Sequence, residues 1–118
     1  MDNLYLSTLE SWFDVTESHS SQEALYGLQN GYNGVVIGSL KIPLIKGEKG
    51  EIRNGVNLSR KLKIERKDLP LIILMDEGYS SEIKKLEEKP DCDLMLKKSA
   101  ISGFNSLRLL KEAQKIFR

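Results

Sequence analysis

Apolar residues along this chain fall in short, unbroken runs separated by polar stretches of helical length. Val35-Val36-Ile37, Leu71-Ile72-Ile73-Leu74-Met75 and Leu94-Met95-Leu96 are apolar at successive positions. Such runs, too short for helices and bounded by Gly, Pro, Asn and Asp, predict strands buried on both faces in the interior of a parallel sheet. Phe13-Asp14-Val15-Thr16-Glu17 alternates instead, and predicts a strand with one wetter face. Between the strands the spacing becomes helical. Ser20 or Ser21 caps a helix through Asn30, with Glu23 three residues beyond Ser20, a stripe of Ala24, Leu25 and Leu28, and Gly31 suited to a left-handed C-cap. A second helix follows Asn54-Gly55 with Val56, Leu58, Leu62 and Ile64 as its apolar positions. Ser80 or Ser81 caps a short charged helix that ends by Lys89-Pro90. Gly103 precedes a final helix with Asn105 as its cap and Leu107, Leu110, Ala113 and Phe117 on one stripe.

Two regions resist this reading. Residues 1–12 hold Leu4, Leu6, Leu9 and Trp12, and fit either a short helix capped by Ser7 or a very short strand at Leu4-Tyr5-Leu6. Residues 39–54, with the charged turn Lys46-Gly47-Glu48-Lys49-Gly50-Glu51, exceed the roughly 2–6 residues of an ordinary strand-to-helix connection, and predict a small hairpin or mobile flap. Strands alternating with helices imply a single α/β domain over residues 1–118 with right-handed crossovers.

Composition narrows the function. The 118 residues carry one cysteine and one histidine, so neither an internal disulfide nor a Cys/His zinc site can form. Cys92, between Asp91 and Asp93, is disfavoured as a thiolate. No run approaches the roughly 20 apolar residues of a membrane span, and an N-terminus opening on Asp2 without lysine or arginine argues against a secretory signal; a reducing cytoplasm is the expected location. The net charge of +1 conceals an asymmetry. Residues 1–40 carry Asp2, Glu10, Asp14, Glu17 and Glu23 with no lysine or arginine, whereas all 18 basic residues fall in 41–118 beside the other 12 acids. A surface polarised in this way could orient a charged partner.

The order of the segments resembles the receiver domain of two-component response regulators, a flavodoxin-like fold of five strands. Phe13 to Leu25, with Glu23-Ala24-Leu25, resembles that family's second strand and second helix; Tyr32 to Ile37 its third strand; Ile42-Pro43 and Asn54-Gly55 the following loop, split by an insertion at 39–54; Leu69 to Leu74 its fourth strand; and Asp93-Leu94-Met95-Leu96-Lys97 its fifth strand with the conserved lysine. The resemblance implies a parallel sheet flanked by helices, with a first strand and helix shortened or missing, because the atypical residues 1–12 are too few to hold both. A missing first strand would leave backbone edges that need covering, by swapping, by a re-ordered sheet or by a strand from a partner.

Function is decided by where the chain departs from the family. The family's phosphoacceptor aspartate ends strand three, and Gly38 stands there, with no carboxylate to offer. Met75 occupies the place of the hydroxyl residue ending strand four, and Asp2 is wrongly placed for the acidic pair that holds Mg²⁺. Lys97 alone matches a functional position, as a rim lysine or a partner of Asp76. Asp76 and Glu77 follow strand four at the carboxyl edge, where open α/β sheets bind ligands, and read as turn residues, partner contacts or ligand groups. His19 has no nucleophile as its mate. The expectation is a non-phosphorylatable, receiver-like interaction domain in signalling or transcriptional regulation, not an enzyme, without cofactor or metal. It would bind a protein partner or itself as a homodimer through Tyr79 to Glu88 and Asn105 to Arg118, with Asp76, Glu77, Tyr79, Lys84, Lys85 and Arg108 as candidate contacts. The chain could equally be part of a larger regulator continuing beyond Arg118. The alternative is a nucleic-acid-binding accessory domain using Lys46, Lys49, Arg53, Arg60, Lys61, Lys63, Arg66 and Lys67.

Overall fold

The structure, a computed structural model, describes residues 3–98 and 106–117. Three strands, β1 (Val35–Ile37), β2 (Leu71–Met75) and β3 (Leu94–Lys97), form one parallel sheet in the order β1-β2-β3. Val35 pairs with Leu71, and Ile72 with Leu94. The β2 strand is buried at all five positions, as its unbroken apolar run requires. Helices α2 (Ser21–Gly27), α3 (Ile52–Glu65) and α4 (Tyr79–Lys84) cover one face, with α3 touching both neighbours. Helices α1 (Asn3–Glu10) and α5 (Ser106–Ile116) pack on each other over the opposite face.

The pleat sends alternate β2 side chains to the two layers. Leu71, Ile73 and Met75 join Val56, Leu58 and Leu62 of α3 in one apolar cluster. Ile72 and Leu74 join Tyr5 and Leu9 of α1 and Leu109 and Ala113 of α5 in the other. Each helix presents its buried pair four residues apart, one turn on the same face. Burying a leucine or isoleucine in this way contributes about 1.5–3 kcal/mol.

Several expectations change. The backbone at Leu4-Tyr5-Leu6 is helical, and α1 begins at Asn3 and runs through Ser7, so neither a strand nor a Ser7 cap forms there. Helix one therefore survives while strand one does not. Phe13 to Glu17 forms no ladder with any described residue and is not a strand; its side-chain pattern suits a sheet, but a ladder needs a neighbour. For the same reason β1, expected inside the sheet, lies at its edge with Val35 and Val36 only half-buried. The helix after Ser20 stays α-helical to Gly27 and tightens to a 3₁₀ turn at Leu28–Asn30, closed by Gly31 in the left-handed region at φ 80°. Ser20 is the cap, accepting from the Glu23 N–H at 3.1 Å. Helix α3 starts at Ile52, before Asn54-Gly55, and Ile64 is 77% exposed on its outer face. Helix α4 starts at Tyr79, follows Gly78 at φ 88°, and stops at Lys84. The Asn105 cap, Gly103, Asp2 and Arg118 lie outside the described residues.

The 39–54 insertion is anchored at its base. Leu40 is fully buried, Ile42 and Glu51 form an antiparallel bridge, and the Asn54 side-chain amide donates to the Ile42 carbonyl at 2.8 Å. Only Leu44 to Lys49 is exposed at every position, with Leu44 and Ile45 about half exposed.

Candidate functional site at the carboxyl edge of the sheet

The carboxyl ends of β1 and β2 bring Gly38, Ser39, Asp76 and Tyr79 together. Gly38 and Ser39 directly follow β1, Asp76 directly follows β2, and Gly78 turns the chain so that Tyr79 opens α4 beside them. The Ser39 hydroxyl donates to Asp76 Oδ2 at 3.5 Å and accepts from the Lys41 N–H at 3.2 Å. Tyr79 is partly buried beside Ser39 and Asp76, and both act on its phenol electrostatically. Burial raises the Tyr79 pKa above its ordinary value, and the Asp76 and Glu82 charges add to this, so the phenol stays protonated.

The cation at this site is Lys98, whose ammonium lies 2.8 Å from Asp76 Oδ1. Lys97 is the last residue of β3, opposite Met75, and its side chain is exposed. Strand alternation accounts for the choice. Leu94 and Leu96 pack into the α1–α5 layer, Met95 is 40% exposed, and Lys97 shares the parity of Met95. Lys98 shares the parity of Leu94 and Leu96 but lies past the end of β3, where the backbone turns helical, so the strand pattern in the sequence stops short of it. The Lys98 carbonyl also accepts from the Tyr5 hydroxyl at 3.3 Å, which ties α1 to this corner.

Chemically the corner offers one carboxylate, already neutralised. Met75 is buried and its thioether has no proton to donate. Glu77 and His19 are exposed, and among the described residues no group of three His, Cys, Asp or Glu side chains is placed to hold a metal ion. Lys84 and Lys85 lie exposed at the end of α4 and Arg108 exposed on α5, away from this cluster.

The basic residues of α3 are largely committed to internal contacts. Arg60 pairs with Glu88 at 3.3 Å and donates to the Lys89 carbonyl. Lys63 contacts Asp93 and the Leu69 carbonyl at 2.7 Å each, and Arg66 donates to the Tyr32 carbonyl. Arg53, Lys61 and Lys67 remain as exposed cations of this group. Burial raises the Cys92 pKa, and Asp93 and Asp91 add to the effect, so this thiol is held protonated.

No family model matches the chain, and none of the curated proteins does. Among solved structures, the receiver domain of NtrX from Brucella abortus is similar, with a TM-score of 0.69 and 15% sequence identity over 98% of this chain and 88% of that one. Among the described residues no helix is long and apolar enough to cross a membrane. The chain is folded like that receiver domain.

Proposed function

We propose that this chain is a receiver-like module that binds another protein in a signalling or regulatory context and takes no phosphoryl group itself. The observation that carries this reading is the corner around Gly38. The strand that should present a nucleophile ends in glycine, and the one carboxylate nearby, Asp76, is bound to Lys98 and Ser39. A lysine that would steady a transferred phosphoryl oxygen is thereby already paired. With glycine at the acceptor position, no acidic pair among the described residues and a buried methionine in place of a hydroxyl, the corner favours recognition over phosphoryl transfer.

Incubation with acetyl phosphate and Mg²⁺, followed by intact mass measurement, leaves the mass unchanged. A product one phosphoryl group heavier that reverts at alkaline pH would overturn the reading. Gly38→Asp restores no phosphorylation, because the metal-binding acids and the hydroxyl at position 75 are still lacking.

A further inference from the structure

The β1 strand has one unused edge, and the space beside it is shaped for a polypeptide. The Val35 N–H donates to the Pro70 carbonyl at 2.9 Å, and Val35 and Ile37 face Leu71 and Ile73 in the ladder. Alternate residues of a parallel strand serve opposite sides, so the Val36 N–H and C=O project away from β2. Among the described residues nothing pairs with that edge.

A groove of about 670 Å³ borders it, lined also by residues of the 13–20 segment. Leu9, Phe13 and Phe117 contribute from the α1–α5 layer, and Ala24 and Leu58 from the α2–α3 layer. Residues of both helical layers thus line the space beside the last strand, together with polar residues of the 13–20 segment. That segment is fixed at its two ends. The Phe13 N–H donates to the Leu9 carbonyl, its ring meets Phe117 edge-on at 5.9 Å, and the Ser21 and Gln22 N–H groups donate to the Pro43 and Leu44 carbonyls.

We propose that this groove accepts an extended segment of a partner protein, which adds a strand to the free edge of β1 with apolar residues at its centre and basic residues at its ends. Backbone pairing supplies the attachment, and side chains alternating into the two layers supply the fit. Charge selects the occupant. The groove carries Asp14 and Glu17 on its outer wall, against Lys41 at one end and His19, and all of residues 1–40 lack lysine and arginine. The unpaired segment with a strand's side-chain pattern that a second copy could insert is its own Phe13 to Glu17, whose two acids would meet those of the host. The proposal does not depend on the state of the Gly38 corner, and the acetyl phosphate result leaves it untouched.

The test uses amide hydrogen exchange with a defined probe: a seven-residue peptide of alternating valine and threonine with a lysine at each end. The Val36 and Gly38 amides exchange fast in the free protein at every concentration, and the peptide slows them at least about tenfold. A peptide with glutamate at each end gives no such protection, nor does a lysine-ended peptide N-methylated on its pairing edge. Val36→Pro removes the outward N–H without touching the β1–β2 ladder, and weakens binding of the first peptide at least about tenfold. The N-methylated probe carries the same test should that variant not fold. Slow exchange in the free, dilute chain would overturn the proposal, as would protection that rises with protein concentration alone. So would protection by the glutamate-ended or N-methylated peptide, or none by any peptide.

Discussion

Gly55 is the fourth residue of α3, inside the helix, where glycine costs up to about 1 kcal/mol relative to alanine. Its reason is the backbone of Leu40. A Cβ at position 55 would stand 2.1 Å from the Leu40 carbonyl oxygen, and that strand-to-loop backbone cannot swing aside as a side chain can. Leu40 itself is fully buried, so the close approach seats the base of the insertion on α3. Gly55→Ala therefore lowers stability by roughly 1–3 kcal/mol, the range for overpacking a filled interior. Urea denaturation checks this through the midpoint, and an unchanged or higher midpoint would mean that the Leu40 backbone gives way. The Asn-Gly pair was legible in the sequence as punctuation before a helix. That the pair lies inside the helix follows from Leu40, fifteen residues away in the chain, which no local pattern reports.

At the scale of elements, the entry of β3 is held by a side chain. The Asp93 N–H donates to the Leu71 carbonyl at 2.9 Å, while its carboxylate accepts from the Leu71 N–H and from Lys63, each at 2.7 Å. This extends the β2–β3 ladder by one rung and ties both strands to α3. Burial pushes the Asp93 pKa up, but the hydrogen bonds from Lys63 and Leu71 and the Lys63 charge outweigh it and leave the value below the ordinary 3.8. A carboxyl with a depressed folded-state pKa contributes stability that is fully present above its unfolded value and is lost as pH falls through the folded value. Asp93→Ala therefore destabilises at neutral pH by on the order of 1 kcal/mol, small because the side chain is 42% exposed and solvent screens the pair. The gap between variant and parent closes below about pH 4. A gap of constant size across that range would remove the charge from the explanation. The sequence placed Asp93 at a strand start, but its partners come from β2 and α3.

At the scale of the whole molecule, neither edge of the sheet has a paired strand among the described residues. At the β3 edge Met95 is 40% exposed, and the α4 and α5 region carries the exposed Lys84, Lys85, Leu107 and Arg108. Self-association is expected on this side, since exposed apolar and charged side chains together suit a protein contact. Size exclusion with light scattering across a dilution series gives a species heavier than the 13.4 kDa monomer at high micromolar concentration. Reversing Lys84 and Lys85 to glutamate shifts it toward monomer with the fold intact. A monomer throughout would confine this face to a different partner. The β1 edge, at the other end, borders the acidic first third of the chain, so the two edges would select partners of different charge.

The sequence by itself located the three apolar strand segments and the helices between them, because apolar periodicity and turn chemistry are written within a few neighbouring residues; it placed all three inside the sheet, whereas β1 and β3 lie at its edges and Met95 is 40% exposed. It also determined that glycine and methionine stand at the two strand ends where the related fold keeps its chemistry, since residue identity needs no folding to be read. Tertiary structure alone decided which potential strands pair: Phe13 to Glu17 has a strand's pattern, yet without a neighbour beside it no ladder forms. It decided that Lys98, one position beyond the motif lysine, reaches Asp76, because the pleat alternates which way successive side chains point. It also decided that Arg60, Lys63 and Arg66 stitch the fold together instead of forming a free basic face. Ladders, ion pairs and grooves are relations between residues distant in the chain, and exist only once the layers have packed.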